Sequence, residues 1–80
     1  MGMPKRATSF KPFTRLGLNV RRRREIKDLS QESLAAAAEL DQTYISNLEA
    51  GRRNPTLATQ LKLASALDCT VSELLSGVED

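Results

Sequence analysis

Apolar residues recur along this chain at helical spacing. Phe13, Leu16, Gly17 and Val20 follow an i, i+3, i+4, i+7 pattern, which predicts a first helix from about residue 13 or 14 to residue 27. Leu34, Ala35 and Ala38 form a narrow stripe on a second helix over 31–38, where a run of alanines favours helix and close packing. A third helix over 42–50 carries Tyr44, Ile45 and Leu48 on one face. Leu57, Leu61, Ala64 and Leu67, with Leu63 and Ala66 beside them, predict the core face of a fourth helix over 57–67. A short fifth helix runs from 71 to 75 or 76.

The ends of these elements are signalled locally. Ser30, Asp41 and Thr56 stand where an N-cap oxygen accepts the free N–H groups of a first turn. Thr70-Val71-Ser72-Glu73 is a capping box. Gly51 and Gly77 follow helix ends, where glycine reaches positive φ without steric cost. Gly17 costs about 1 kcal/mol against alanine inside a helix, so a close helix contact is expected there.

Only Glu39, Leu40 and Asp41 separate the second and third helices. That is the connection length of a helix-turn-helix, whose second helix can enter the DNA major groove. The phase of the third helix fits that use. Gln42, Thr43, Ser46 and Asn47 share the face opposite Ile45 and Leu48. Two amides and two hydroxyls can both donate and accept hydrogen bonds. Gln and Asn suit adenine N6/N7, and Thr suits a thymine methyl or a hydrogen-bonding edge. An ordinary solvated face would more often carry Lys and Glu.

Eighty residues make one small domain, whose core must come from Leu, Ala, Ile and Val because there is no Trp, one Tyr and two Phe. With no His and a single Cys, Cys69, the chain offers no zinc-ligand cluster, no intramolecular disulfide and no nucleophile constellation, so no enzyme, metal or cofactor is expected. Cys69 reads as a buried small hydrophobe in a reducing cytosol. No apolar run approaches the roughly 18 residues of a membrane span, and no signal peptide is evident, so a cytoplasmic protein is expected.

Charge is unevenly placed. Residues 1–27 hold nine basic side chains and one acid, net +8, whereas residues 28–80 hold three basic and nine acidic ones, net −6. A basic arm or face for a polyanion is one consequence, and a solvated tail beside a charged helix is the other. Pro4, Pro12 and the lack of periodicity mark residues 1–12 as a flexible basic tail, with Phe10 and Phe13 pinning its end to the core. Residues 13–76 form the domain, and 77–80 fray. Arg21 to Arg24 surround one helical turn, so at least one lies near the buried side and needs a carboxylate.

The stretches LSQESLA (29–35), YISNLEAGRRNPTL (44–57) and LASALDCTVSELL (63–75) stand in the order and spacing of the lambda-repressor-like, or Xre-type, helix-turn-helix family, which the chain closely resembles. The resemblance implies an all-α, compact five-helix DNA-binding domain with the helix from Gln42 in the major groove. It gives Gln31 the position that holds a phosphate and braces the base-reading side chains. Gln42, Thr43, Ser46 and Asn47 fall at base-facing positions, which agrees with the helical phase. Tyr44 lies at the edge, with its hydroxyl on a phosphate or its ring packed beside Ile45. Arg52, Arg53 and Asn54 fall in the loop that follows the DNA backbone. Arg24 and Glu49 match a structural ion pair.

Two positions depart from the family pattern. Glu39 stands where glycine is usual, which costs roughly 1–2 kcal/mol if the residue is left-handed. Arg23 stands at a commonly apolar position, which either weakens the packing of the first helix or rotates it so that Ile26 or Leu18 takes over. Within the family, YISNLEAGRRNPTL looks most like the controller proteins of restriction–modification systems, small dimeric regulators of their own operons. That implies a transcriptional regulator binding double-stranded DNA as a homodimer on a palindrome, through Leu74, Leu75 and Val78 if those do not close the monomer core. Glu32, Glu39 and Asp41 form an acidic patch that could touch RNA polymerase. The alternative is an antitoxin-like protein that binds a toxin partner and represses its own operon.

Overall fold

A computed structural model describes residues 11–79, so the expectations for residues 1–10, Phe10 included, lie outside the described residues. Among the described residues five helices follow one another: α1 (Pro12–Ile26), α2 (Gln31–Ala38), α3 (Gln42–Glu49), α4 (Leu57–Ala66) and α5 (Val71–Leu74). α3 packs on α1 and α2, α4 packs on α2, and α5 closes the bundle against α1 and α4. Leu34, Ile45, Leu48, Leu63, Leu74 and Val20 are fully buried at its centre. Among the described residues no helix is long and apolar enough to cross a membrane.

Three predicted caps form as expected. The Ser30, Thr56 and Thr70 side chains accept from the backbone N–H of Ser33, Thr59 and Glu73. Glu73 completes the capping box by accepting from the Thr70 N–H at 2.9 Å. That bond holds the Glu73 carboxyl below its ordinary pKa. Asp41 has the extended N-cap backbone, but its carboxylate makes no capping bond. Pro12, expected in the tail, is the first residue of α1, where a missing N–H costs nothing and φ is already helical.

Helices α1 to α4 end alike. In each, a left-handed residue follows the helix and the next N–H donates to the carbonyl five residues back: Leu29 to Arg24, Leu40 to Ala35, Arg52 to Asn47 and Cys69 to Ala64. This pairing satisfies carbonyls that the helix leaves open. Only one of the four left-handed residues is glycine, Gly51; the others are Asp28, Glu39 and Asp68, at φ 60°, 58° and 55°. Leu29, Leu40 and Cys69, the residues after them, pack against the core. Burial pushes the Cys69 thiol up, away from reactivity.

Several expected core positions differ. Of the face expected on α4, Ala64 and Leu67 are buried, with Leu63 beside them, but Leu57 and Leu61 are 62% and 56% exposed, so the inward face is turned towards Leu63. On α1, Leu18 and Ile26 stay exposed and do not substitute for Arg23, and Phe13 is 39% exposed. The buried polar residue Asn19 fills part of that side. Its amide donates to the carbonyls of Leu74 and Ser76 at 2.9 and 2.7 Å, tying α1 to the end of α5. Leu74, offered for dimer contact, is fully buried in its own monomer. Val78, expected to fray, packs beside it with Leu75.

Candidate nucleic-acid interface

The backbone of α1 supports α3 at one point of unusual closeness. A Cβ at Gly17 would lie 2.5 Å from the Leu48 carbonyl oxygen and 2.6 Å from that of Glu49. Only glycine lets α1 and the end of α3 approach this far. The expected contact at Gly17 is therefore present, and its partner is the end of α3.

Two turns further along α1, Arg24 reaches the same helix end. Its Nε donates to Glu49 Oε2 at 2.7 Å and its Nη2 to Glu49 Oε1 at 3.0 Å. Its Nη1 donates to the Leu29 carbonyl at 2.8 Å. The side chains are 12% and 4% exposed, so the pair is shielded from water. The carboxylate raises the Arg24 guanidinium above its ordinary pKa. Gln31, half-buried at the start of α2, donates its amide to Glu49 Oε1 at 3.1 Å. Its bracing thus runs to the end of α3. Glu49 accepts from both α1 and α2, which fixes α3 against the other two helices.

With its inner side held this way, α3 turns Gln42, Thr43 and Ser46 to solvent, with Asn47 half-buried at their edge. Ile45 and Leu48 are buried beneath. Tyr44 is half-buried and packs against the core, and the Arg53 guanidinium lies 5.8 Å above its ring. Such a cation–π contact is worth about 0.5–1 kcal/mol at an exposed site and tethers the loop to α3. Arg52, Arg53 and Asn54 are exposed. The end of α3 differs from the other three in having glycine at the left-handed position and arginine after it. The chain there leaves the core and projects a basic loop beside the polar face.

Two short helices joined by a three-residue turn, the second presenting a polar outer face over a fixed base, define a helix-turn-helix domain. The helix-turn-helix family model HTH_3 matches residues 20–74, and the chain belongs to that family. It is similar to control protein C.MunI of Mycoplasma sp, 49% identical over 57 residues that cover 71% of this chain and 77% of the relative. Control protein C.SmaI of Serratia marcescens is 48% identical over 61 residues, covering 76% of this chain and 73% of the relative. The crystal structure of the restriction-modification controller protein C.AhdI from Aeromonas hydrophila superposes with a TM-score of 0.76 at 44% identity, covering 78% of this chain and 94% of that one.

Sequence reasoning missed the third donor to Glu49, the Arg53–Tyr44 stack and Asn19. Asn19 had a readable signal, since it sits between core positions of α1 at Leu16 and Val20. The other two depend on tertiary placement.

Proposed function

We propose that this chain is a sequence-specific DNA-binding transcription regulator of a restriction–modification operon, acting in the cytoplasm as a homodimer on a palindromic site. The observation that carries this reading is the rigidly seated polar face of α3. Gln42, Thr43, Ser46 and Asn47 read base edges, because amides and hydroxyls match the donors and acceptors of the major groove. Arg52, Arg53 and Asn54 contact the phosphates beside it and set position without carrying sequence information. Tyr44 acts mainly as the platform for Arg53, and Gln31 braces Glu49 while facing the backbone at the start of α2. The similarity to C.MunI, C.SmaI and C.AhdI, whose names make them controllers, supports the operon type.

One recognition helix reads only a few base pairs, so a single copy would discriminate poorly. Two copies with half-sites about one helical turn apart would repair that. The dimer face moves from Leu74 to the outer side of α4. There Leu57 and Leu61 stand one turn apart and exposed, and Leu75 and Val78 are only partly covered. Glu32, Glu39 and Asp41, all exposed, supply an acidic surface for RNA polymerase. Selection of genomic fragments by the immobilised protein at about 0.15 M salt, followed by sequencing, tests the reading. Enrichment of one palindrome upstream of a methylase or endonuclease gene is expected. Uniform recovery of all fragments would overturn it.

A further inference from the structure

We propose that Arg21 is a DNA-phosphate contact poised on the rim of a cleft beside α3, and that Glu25 competes with the phosphate for it. The inference rests on the reading of α3 as the base-facing helix. The cleft, about 340 Å³, is lined by Arg21, Arg24, Gln31, Ser46, Glu49 and Ala50. Ser46 belongs to the outer face of α3, so the cleft opens on the side that would meet DNA.

The donors inside the cleft are almost all engaged. Arg24 spends its guanidinium on Glu49 and the Leu29 carbonyl, and the Gln31 amide is on Glu49. Arg21 is the cation with donors to spare. Its one hydrogen bond among the described residues runs from Nε to Glu25 Oε2 at 3.1 Å, which leaves the Nη1 and Nη2 groups without a protein partner. Those groups form the fork that binds a phosphate through two parallel hydrogen bonds.

Glu25 lies on the other side of Arg21. It does not line this cleft but a second one of about 290 Å³, with Arg15, Leu18 and Arg22. Arg21 therefore stands on the ridge between two clefts, held towards the outer one by a carboxylate. Both partners are more than half exposed, at 59% and 55%. An exposed pair of this kind contributes little, so a phosphate can displace it at small cost. Glu25 lowers affinity in two ways, by engaging Nε and by placing a negative charge near the approaching backbone.

The test is a salt titration of binding to the selected site and to a random duplex. Wild type, Arg21→Gln, Glu25→Gln, the double variant and Arg52→Ala are compared, with thermal melts showing that each is folded. Arg21→Gln should weaken both duplexes several-fold and equally. It should also make the slope of log K against log salt shallower by about 0.9, the value for one lost phosphate contact. Glu25→Gln should tighten binding in the wild-type background and have a much smaller effect when Arg21 is already Gln. Unchanged affinity and slope in Arg21→Gln, with Arg52→Ala still weakened, would overturn the Arg21 assignment and leave the DNA-binding reading intact. An equal gain from Glu25→Gln in both backgrounds would overturn the competition. A wild type that binds neither duplex would remove the reading beneath both.

Discussion

Arg24 on α1 holds Glu49 at the end of α3 through two hydrogen bonds of 2.7 and 3.0 Å. The pair does more than close a surface. It fixes the helix whose outer face is polar, and it occupies most of the polar capacity of Glu49 together with Gln31. Removing one partner strands the other in a shielded place, and breaking a buried pair in this way typically costs about 3–5 kcal/mol. Glu49→Ala should therefore lower the unfolding free energy by about 3 kcal/mol in urea titrations. The paired replacement Arg24→Met with Glu49→Leu should cost clearly less, because no charge is left unpaired.

Gly17 should tolerate no side chain. The atoms that an added methyl would strike are backbone carbonyls of Leu48 and Glu49, which cannot rotate away. Overpacking of this kind costs about 1–3 kcal/mol. Gly17→Ala should lower the melting temperature and, by displacing α3 from α1, weaken binding to the selected site more than to a random duplex. Parallel melting and binding measurements check both effects.

Glu39 offers the opposite case. Its side chain is exposed and its φ is 58°, a conformation that costs roughly 1–2 kcal/mol for a residue with a Cβ. Glu39→Gly should raise stability by about 1 kcal/mol, which is about 4–8 °C in melting temperature for a domain of this size. DNA affinity should stay the same or rise slightly, since an exposed acid is removed from the turn that precedes α3.

The proposed dimer face on α4 can be separated from the core by comparing two leucines. Leu61→Asp alters an exposed position and should leave the fold intact while shifting sedimentation from dimer to monomer. Leu74→Ala alters a fully buried one and should cost about 2–5 kcal/mol of stability. A dimer that survives Leu61→Asp would place the interface elsewhere.

Much of this architecture was legible because its signals are local. Ser30, Thr56 and Thr70 cap the helices they precede, and Gly51 takes the left-handed conformation expected after α3, whereas Glu39 keeps the left-handed turn although it is not glycine. The polar face of α3 followed from a single helical phase, because Ile45 and Leu48 are unambiguous core residues. α4 was harder. It has leucines on both sides, and its amino-acid pattern does not say that Leu63 and Leu67 face inward while Leu57 and Leu61 do not. Asn19 is legible as buried from its place between Leu16 and Val20, but its partners, the Leu74 and Ser76 carbonyls more than fifty residues away, are not. The Arg24–Glu49 pair was legible from family resemblance, but the third donor, Gln31, needed the packing of α2 against α3.

In the proposed function α3 reads bases while the loop after it only holds the backbone. The most direct test measures Gln42→Ala and Arg52→Ala on the selected site and on a random duplex at several salt concentrations. Gln42→Ala should lose about 1–3 kcal/mol on the selected site and almost nothing on the random one. Arg52→Ala should weaken both equally and flatten the salt dependence by about one phosphate contact. Equal losses on both duplexes for both variants would mean that α3 does not read sequence.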